Sequence, residues 1–348
     1  MGSGLIKFAL TGCAALGVAA CAGILGIGDR SLEPAEGGTG CSDPCSLATG
    51  LNFPSAVAVD ESNVYWAENG DTDGDGAIKS CPVTGCEGAP TLYASLQASP
   101  VGIAVDANNV YWATADAIEV CAIGGCGGQP TKLASAQSGI GIAVDATYVY
   151  WVEFAAQTVN RVPKAGGAAS VLGTIGGALH ADQLQACVVD STSVYTNDQL
   201  SNVFSVPIAG GALTQLFDYS GSSEPSPWGL AEDSSALYIG TPGAILSASK
   251  TTPNTTTPLA ADVVAPVALA VDPEGGVLYW ADVGTEGADG TVGKVPLDGG
   301  APVVLASSLW QPEAIAINST YAFWVSIGTV GEDGSTVPNT GTLYRTSK

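Results

Sequence analysis

A short phrase governs what this chain can become. It is an apolar run closed by an aspartate, then a second run ending in tyrosine and tryptophan. Its clearest form is Val101-Gly-Ile-Ala-Val-Asp106-Ala-Asn-Asn-Val-Tyr-Trp112. It returns as Ala56-Val-Ala-Val-Asp60 with Val64-Tyr-Trp66, and as Ile140-Gly-Ile-Ala-Val-Asp145 with Val149-Tyr-Trp151. Another full copy is Val267-Ala-Leu-Ala-Val-Asp272 with Leu278-Tyr-Trp280. Weaker copies close at Asp190, Asp233 and Asn318, followed by Val194-Tyr-Thr196, Leu237-Tyr-Ile239 and Ala322-Phe-Trp324. The seven copies are spaced by about 43 residues on average. A unit this small cannot bury its apolar face alone, so each copy has to stack on the next.

That period, with four short strands per unit, is the period of a propeller blade. Strand a is the near-continuous apolar run, suited to a place beside the central axis. Strand b is Val-Tyr-Trp, whose alternation sends Tyr to one face and Val and Trp to the other. Strand c is seen in Ala117-Ile-Glu-Val-Cys121 and Val159-Asn-Arg-Val162, and strand d in Thr131-Lys-Leu-Ala134 and Val303-Val-Leu-Ala306. Glycine turns such as Ala165-Gly-Gly167, Ala209-Gly-Gly211 and Asp298-Gly-Gly300 join c to d. The last copy has a strand c, Thr342-Leu-Tyr-Arg345, and then the chain ends. Ser46-Leu-Ala-Thr-Gly-Leu51 precedes the first strand a as Thr91-Leu-Tyr-Ala-Ser-Leu96 precedes the second, so it is expected to supply the missing strand and close the ring. The expected fold is all-β: a seven-bladed propeller of four-stranded blades over residues 46–348.

Leu278-Tyr-Trp-Ala-Asp282, Val292-Gly-Lys-Val-Pro-Leu-Asp-Gly-Gly300 and Pro312-Glu-Ala-Ile-Ala316 give a family likeness. The pattern resembles the YWTD repeat of low-density-lipoprotein-receptor propellers, and is similar to bacterial propellers of the NHL and streptogramin-lyase kind. The resemblance implies a propeller. Its motifs are structural, and the count of seven here differs from the six blades of YWTD rings.

The N-terminus reads as an export signal. Lys7 is followed by an uncharged stretch reaching Gly28, within which stands Val18-Ala-Ala-Cys21. This resembles a bacterial lipoprotein signal, which implies removal of residues 1–20, acylation of Cys21 and, with Ala22 next, delivery to the outer membrane. The rival is an uncleaved membrane helix, for which the run is long enough. Residues 21–45 are expected to form a flexible tether, since the stretch from Gly28 to Gly40 has no apolar period. The expected protein is exported and lipid-anchored, on the periplasmic or cell-surface side, touching the membrane through its lipid alone.

The formal net charge is −23, with only 10 Lys and Arg. Binding to a phosphate backbone needs cations, so nucleic acid is excluded as a partner. Cationic ligands and divalent metals suit the field, although surface acidity also simply keeps an exported protein soluble.

Cysteines 81 and 86, and again 121 and 126, flank the c–d turn in the first two blades, where the third has Val162-Pro-Lys-Ala-Gly-Gly167. Export suits disulfides, so the expected bonds are Cys81–Cys86 and Cys121–Cys126, with Cys41–Cys45 as a third. A zinc site is the rival, disfavoured because the pairs sit one blade apart. Cys187 takes the place of Ile103 or Ile142 and is expected to be a small buried hydrophobe.

The repeated Asp is tempting as a ring of carboxylates, but an Asp recurring at a hairpin marks an Asx-type turn. The Tyr-Trp pairs read as packing rather than a sugar-stacking cage. His180 is the only histidine. As a catalytic base it has no readable partner, so no catalytic set emerges. The sharpest feature is three long acidic b–c loops: Glu68-Asn-Gly-Asp-Thr-Asp-Gly-Asp-Gly76, Asp282-Val-Gly-Thr-Glu-Gly-Ala-Asp-Gly290 and Gly328-Thr-Val-Gly-Glu-Asp-Gly334. They belong to blades one, six and seven, adjacent once the ring closes. Asp71, Asp73 and Asp75 alternate as in the opening of a calcium loop, without its closing Glu, and Asp289 or Asp333 could add ligands. The alternative is a solvated acidic loop. The leading functional expectation is a non-catalytic binding or scaffold protein that takes a protein or carbohydrate ligand on its loop face. The alternative is a lyase or hydrolase working on a propeller face, with metal assistance from calcium as the one candidate cofactor.

Overall fold

A computed structural model describes residues 43–348, apart from 73, 87, 155, 175–183, 199–201, 219–226, 286, 330 and 332–335. Its strands, β1 to β28 in chain order, form seven antiparallel sheets of four. Six sheets are simple meanders of consecutive strands. The seventh has the order β1-β28-β27-β26, so β1 (Cys45–Leu51) is the outer strand beside β28 (Gly341–Ser347). The inner strands are β2 (Pro54–Val59), β6 (Gly102–Val105), β10 (Gly139–Val144), β14 (Leu184–Val189), β18 (Leu230–Glu232), β22 (Pro266–Asp272) and β26 (Pro312–Ile317). Each lies beside the next, and β26 lies beside β2, which closes the circle. The chain is a seven-bladed β-propeller. Its closing strand starts one residue earlier than the sequence suggests, at Cys45, which is disulfide-bonded. The proposed partner Cys41, and Cys21 with its signal, also lie outside them.

Alternation along strand b explains the ring. Val64 and Trp66 enter one cluster with Phe323 and Val325 of blade 7, while Tyr65 and Ala67 enter another with Val110 and Trp112 of blade 2. The same division repeats around the circle, so the core is seven layers, each sandwiched between two blades. Trp66, Trp112, Trp151 and Trp324 are fully buried there. Volumes are balanced across strands b and c. Trp280 stands opposite Gly293, whose added Cβ would come within 2.2 Å of the indole. In blade 4 the Trp position holds Thr196, and Phe204 opposite it fills the space.

The cysteine pairs of blades 1 and 2 are joined as Cys81–Cys86 and Cys121–Cys126, each across its own c–d turn. Cys187 is a buried free thiol whose pKa burial pushes up to about 12, as expected of a small core residue rather than a reactive one.

Candidate functional site

The repeated aspartate is a turn device with a second function. In blade 3, Asp145 Oδ1 accepts the N–H groups of Thr147 and Tyr148, both at 2.6 Å, while Oδ2 accepts the Tyr150 hydroxyl at 2.6 Å. Asp60, Asp106, Asp190 and Asp233 do the same with Tyr65, Tyr111, Tyr195 and Tyr238. Each lock ties the a–b turn to the tyrosine of its own strand b. Blade 7 has Phe323 where the others have Tyr, and there the aspartate is replaced by Asn318. Its Oδ1 still accepts two turn N–H groups, while its amide donates to the Asp60 carbonyl of blade 1.

Cations join these a–b turns between blades. Lys164, Lys250 and Lys348, on blades 3, 5 and 7, reach back to Asp106, Asp190 and Asp272 on blades 2, 4 and 6, at 2.7, 2.8 and 2.5 Å. Arg345 and Arg161 donate forward to the Val83 and Ile208 carbonyls of the next blade, and Tyr93 makes the same contact with Ile123. Five of the few basic side chains are thus spent on the face formed by a–b and c–d turns. The lowered pKa values of Asp106 and Asp190 follow: burial works to raise them, but the lysines and backbone N–H groups more than offset it.

The opposite face carries the b–c loops and the d–a connections. Here the calcium candidates have defined places in part. Asp75 accepts the N–H groups of Asp71 and Thr72, at 3.3 and 3.2 Å. In blade 6, Asp289 accepts the N–H and hydroxyl of Thr285, at 3.0 and 2.6 Å. These are one loop made twice. Gly70 and Gly284 both have positive φ, and a Cβ on either would collide with the inward carboxylate. Desolvation raises the Asp75 pKa, but hydrogen bonds from Asp71 and Thr72 bring it below the ordinary value. Asp71 is exposed on the same loop. Asp73, Asp333 and His180 lie outside the described residues, and among those described no three acidic, His or Cys side chains gather as metal ligands.

The axial mouth on this face holds the residue that the repeat analysis passes over. Inner strands β2, β10, β14, β22 and β26 are each irregular at their first pairs, leaving an extra residue or two at the channel entrance. In three of them that residue is Ser55, Val267 and Glu313; Ile140 lies within the irregularity of β10, and Val101 and Trp228 stand just ahead of β6 and β18. All six are partly exposed, whereas the prolines before Ser55, Val101, Trp228, Val267 and Glu313 are buried. Ser55 donates to the Pro100 carbonyl at 2.8 Å. Glu313 has no hydrogen-bond or ion-pair partner among the described residues, and burial raises its pKa to about 7. Partial exposure and strong burial fit a carboxyl in a narrow channel, where its surface meets solvent while protein encloses it. At the opposite end of the channel, Ala143, Val144, Val188, Val189, Ala231 and Val271, close to the a–b turns, line an open depression of about 280 Å³. There Glu232 is paired with Lys250 at 2.6 Å. Aligning the seven copies at their first inner-strand residue would have exposed Glu313 as a lone charge at a position otherwise apolar or neutral.

No family model matches the chain, and no curated protein matches it. Solved structures match in fold. The WD40 propeller domain of Doa1 aligns with TM-score 0.62 at 12% identity, over 86% of this chain and 95% of that one. The extracellular domain of the putative one-component system BT4673 from B. thetaiotaomicron aligns with TM-score 0.60 at 12% identity, over 86% of this chain and 39% of that one. The computationally designed Ika8 protein aligns with TM-score 0.57 at 15% identity, over 86% and 98%. At such identities the likeness is one of fold.

Proposed function

We propose that this is an exported, lipid-anchored, non-catalytic propeller that binds a protein or carbohydrate ligand on the face formed by its b–c loops and d–a connections. The observation that carries this reading is the asymmetry of the two faces. Cations and aspartates on one face are consumed in holding blades together, whereas the other carries the long loops and the mouth with Glu313. Detergent-solubilised protein is tested on glycan and peptide arrays. Asp71→Lys with Asp116→Lys, on b–c loops, is expected to abolish a signal that Glu274→Lys, on an a–b turn, leaves intact. Equal loss from both would remove the face assignment. For the tether, intact mass of the membrane form should show an acylated chain beginning at Cys21, and Cys21→Ser should release it. An unmodified chain from Met1 would refute the anchor.

For the acidic loop we infer weak calcium binding by Asp71, Asp73 and Asp75, of extracellular type, with Kd about 10⁻⁴–10⁻³ M. Millimolar calcium should raise the melting temperature relative to chelator, and Asp73→Ala should erase the difference. An indifferent parent protein returns the loop to ordinary solvated surface.

A second reading, a propeller-face lyase or hydrolase, is favoured by Glu313 alone, since a carboxyl with pKa near neutrality is poised as a general base. Turnover of ester or polyuronate substrates, abolished by Glu313→Gln, would install it.

A further inference from the structure

The geometry points to a site in the channel mouth for a small organic cation, an ammonium group on an apolar body, with Glu313 as counter-ion and Trp228 as aromatic wall. This rests on the reading of the b–c and d–a face as the binding face and names a ligand class for its centre. Four observations converge. First, Glu313 is unpartnered among the described residues, while Glu68, Asp282 and Glu153 at this end of the blades are engaged. Glu68 holds Lys79, the Asn52 N–H and the Trp66 indole, Asp282 accepts the N–H groups of Val264, Ala265 and Gly284, and Glu153 accepts from the Trp151 indole. Second, the corresponding inner-strand positions offer no other charge: Val267 on the adjacent blade 6, Val101 and Ile140 on blades 2 and 3, and on the adjacent blade 1 Ser55, whose hydroxyl is donated to the Pro100 carbonyl. One carboxylate in such a ring cannot supply the six to eight oxygens that calcium takes, but it matches one positive charge carried on methyl or methylene groups. Third, Trp228 is partly exposed, unlike the fully buried Trp66, Trp112, Trp151 and Trp324 of the repeats. Tryptophan is the best aromatic partner for a cation approaching its face. Fourth, the net charge of −23 draws cations toward the protein, and five basic side chains that could compete are tied to the other face.

Ionisation of Glu313 gives the site a signature. Strand β26 packs against β2, β22, β23 (Val277–Asp282), β24 (Gly290–Pro296) and β27 (Tyr321–Ser326), and the one titratable group of β24, Lys294, stands opposite Tyr279 toward the c–d turn. The titratable groups those elements carry toward this end are Asp282 and, one strand beyond β2, Glu68, both engaged as above. Burial alone raises the Glu313 pKa to about 7. A bound cation favours the ionised form, so affinity rises with pH through neutrality and binding below that point releases a proton.

The full-length protein is titrated calorimetrically with choline and with dimethylbutanol, its uncharged isostere. Choline should bind one to one and about tenfold or more tightly than the isostere, and more tightly at about pH 8 than at about pH 6. Glu313→Gln should weaken choline about tenfold and remove the pH dependence; Trp228→Leu should weaken it several-fold and keep that dependence. If Glu313→Gln does not fold, carbon NMR of the parent must show one glutamate carboxyl titrating near neutrality and shifting to lower pKa with choline. Equal affinity for choline and its isostere, unchanged binding by Glu313→Gln, absence of binding at millimolar choline, or a carboxyl indifferent to choline would overturn the inference. Array binding that survives any of these outcomes leaves the face assignment standing, so the two failures are distinguishable.

Discussion

At the scale of single residues, the Asp–Tyr lock is the recurring bond, and the chain contains its own control. Five blades carry the lock; blade 6 keeps Asp272 with Lys348 on its second oxygen, and blade 7, with Phe323 in place of tyrosine, has Asn318, whose amide donates to the Asp60 carbonyl where a second carboxylate oxygen would lack the phenol as donor. Tyr150→Phe is therefore expected to destabilise the protein by about 1–2 kcal/mol, and adding Asp145→Asn should cost less than Asp145→Asn does alone. Denaturant unfolding of the parent, both single variants and the double variant measures the coupling; strict additivity would mean that the lock carries no interaction energy. Gly293→Ala tests packing at the same scale. Its Cβ would sit 2.2 Å from the Trp280 ring, so a loss of about 1–3 kcal/mol is expected.

At the scale of elements, β1 does more than complete a sheet. Leu47 and Leu51 are buried in the cluster joining blades 7 and 1, with Trp66, Phe323 and Leu343. Arg345, on the adjacent strand, then donates across the seam to the Val83 carbonyl. Leu51→Ala should cost about 2–4 kcal/mol, near that of any core leucine. Deleting residues 45–51 should cost far more, because it bares the edge of β28 and the outer part of the core layer between blades 7 and 1 together. Size-exclusion chromatography is expected to show aggregation or dimerisation of the deletion and a monodisperse Leu51→Ala. A monomeric, fully stable deletion would mean that ring closure rests on the inner strands.

At the scale of the whole molecule, the locks and lysine clips repeat around one face, so their titrations act together. Asp106, Asp145, Asp190, Asp233 and Asp272 have lowered pKa values. Burial opposes the shift in all five; in Asp272 the hydrogen bond from Lys348 is the largest influence and outweighs it. Their stabilisation is complete above the unfolded aspartate pKa of about 3.9 and is lost as pH falls through the folded values. Tyr111 and Tyr195 are raised to about 12, by burial and then by their aspartates. Their contribution is complete below about pH 10 and is lost as pH rises through the folded values. Glu313 works the other way: its carboxyl, raised by burial to about 7, removes stability as pH rises from the unfolded glutamate value of about 4.3 to about 7. Melting temperature should therefore be highest near pH 5, step down by about pH 7, hold to about pH 9 and fall beyond either limit. A flat profile between about pH 5 and pH 7 would show that Glu313 is not buried as described.

Most of the architecture was legible in the chain because propeller structure is written locally. Asp at a tight turn, a period-two strand and a glycine hairpin each form within about ten residues, and repetition makes their period visible. The count of blades, the closing strand, the c–d disulfides and the structural duty of the aspartates all follow from that local grammar. The partners of the lysines were not legible, since Lys164 and Lys250 meet aspartates 58 and 60 residues away, one blade back. Nor was the second use of acidic loops, where Asp75 and Asp289 turn inward onto their own backbone. Glu313 belongs to this second class. In the sequence it is one ordinary acid inside Pro-Glu-Ala-Ile-Ala. Only closing the ring places it at the axis, with six inner strands around it and no cation beside it among the described residues, because burial is a property of the circle and not of any one blade.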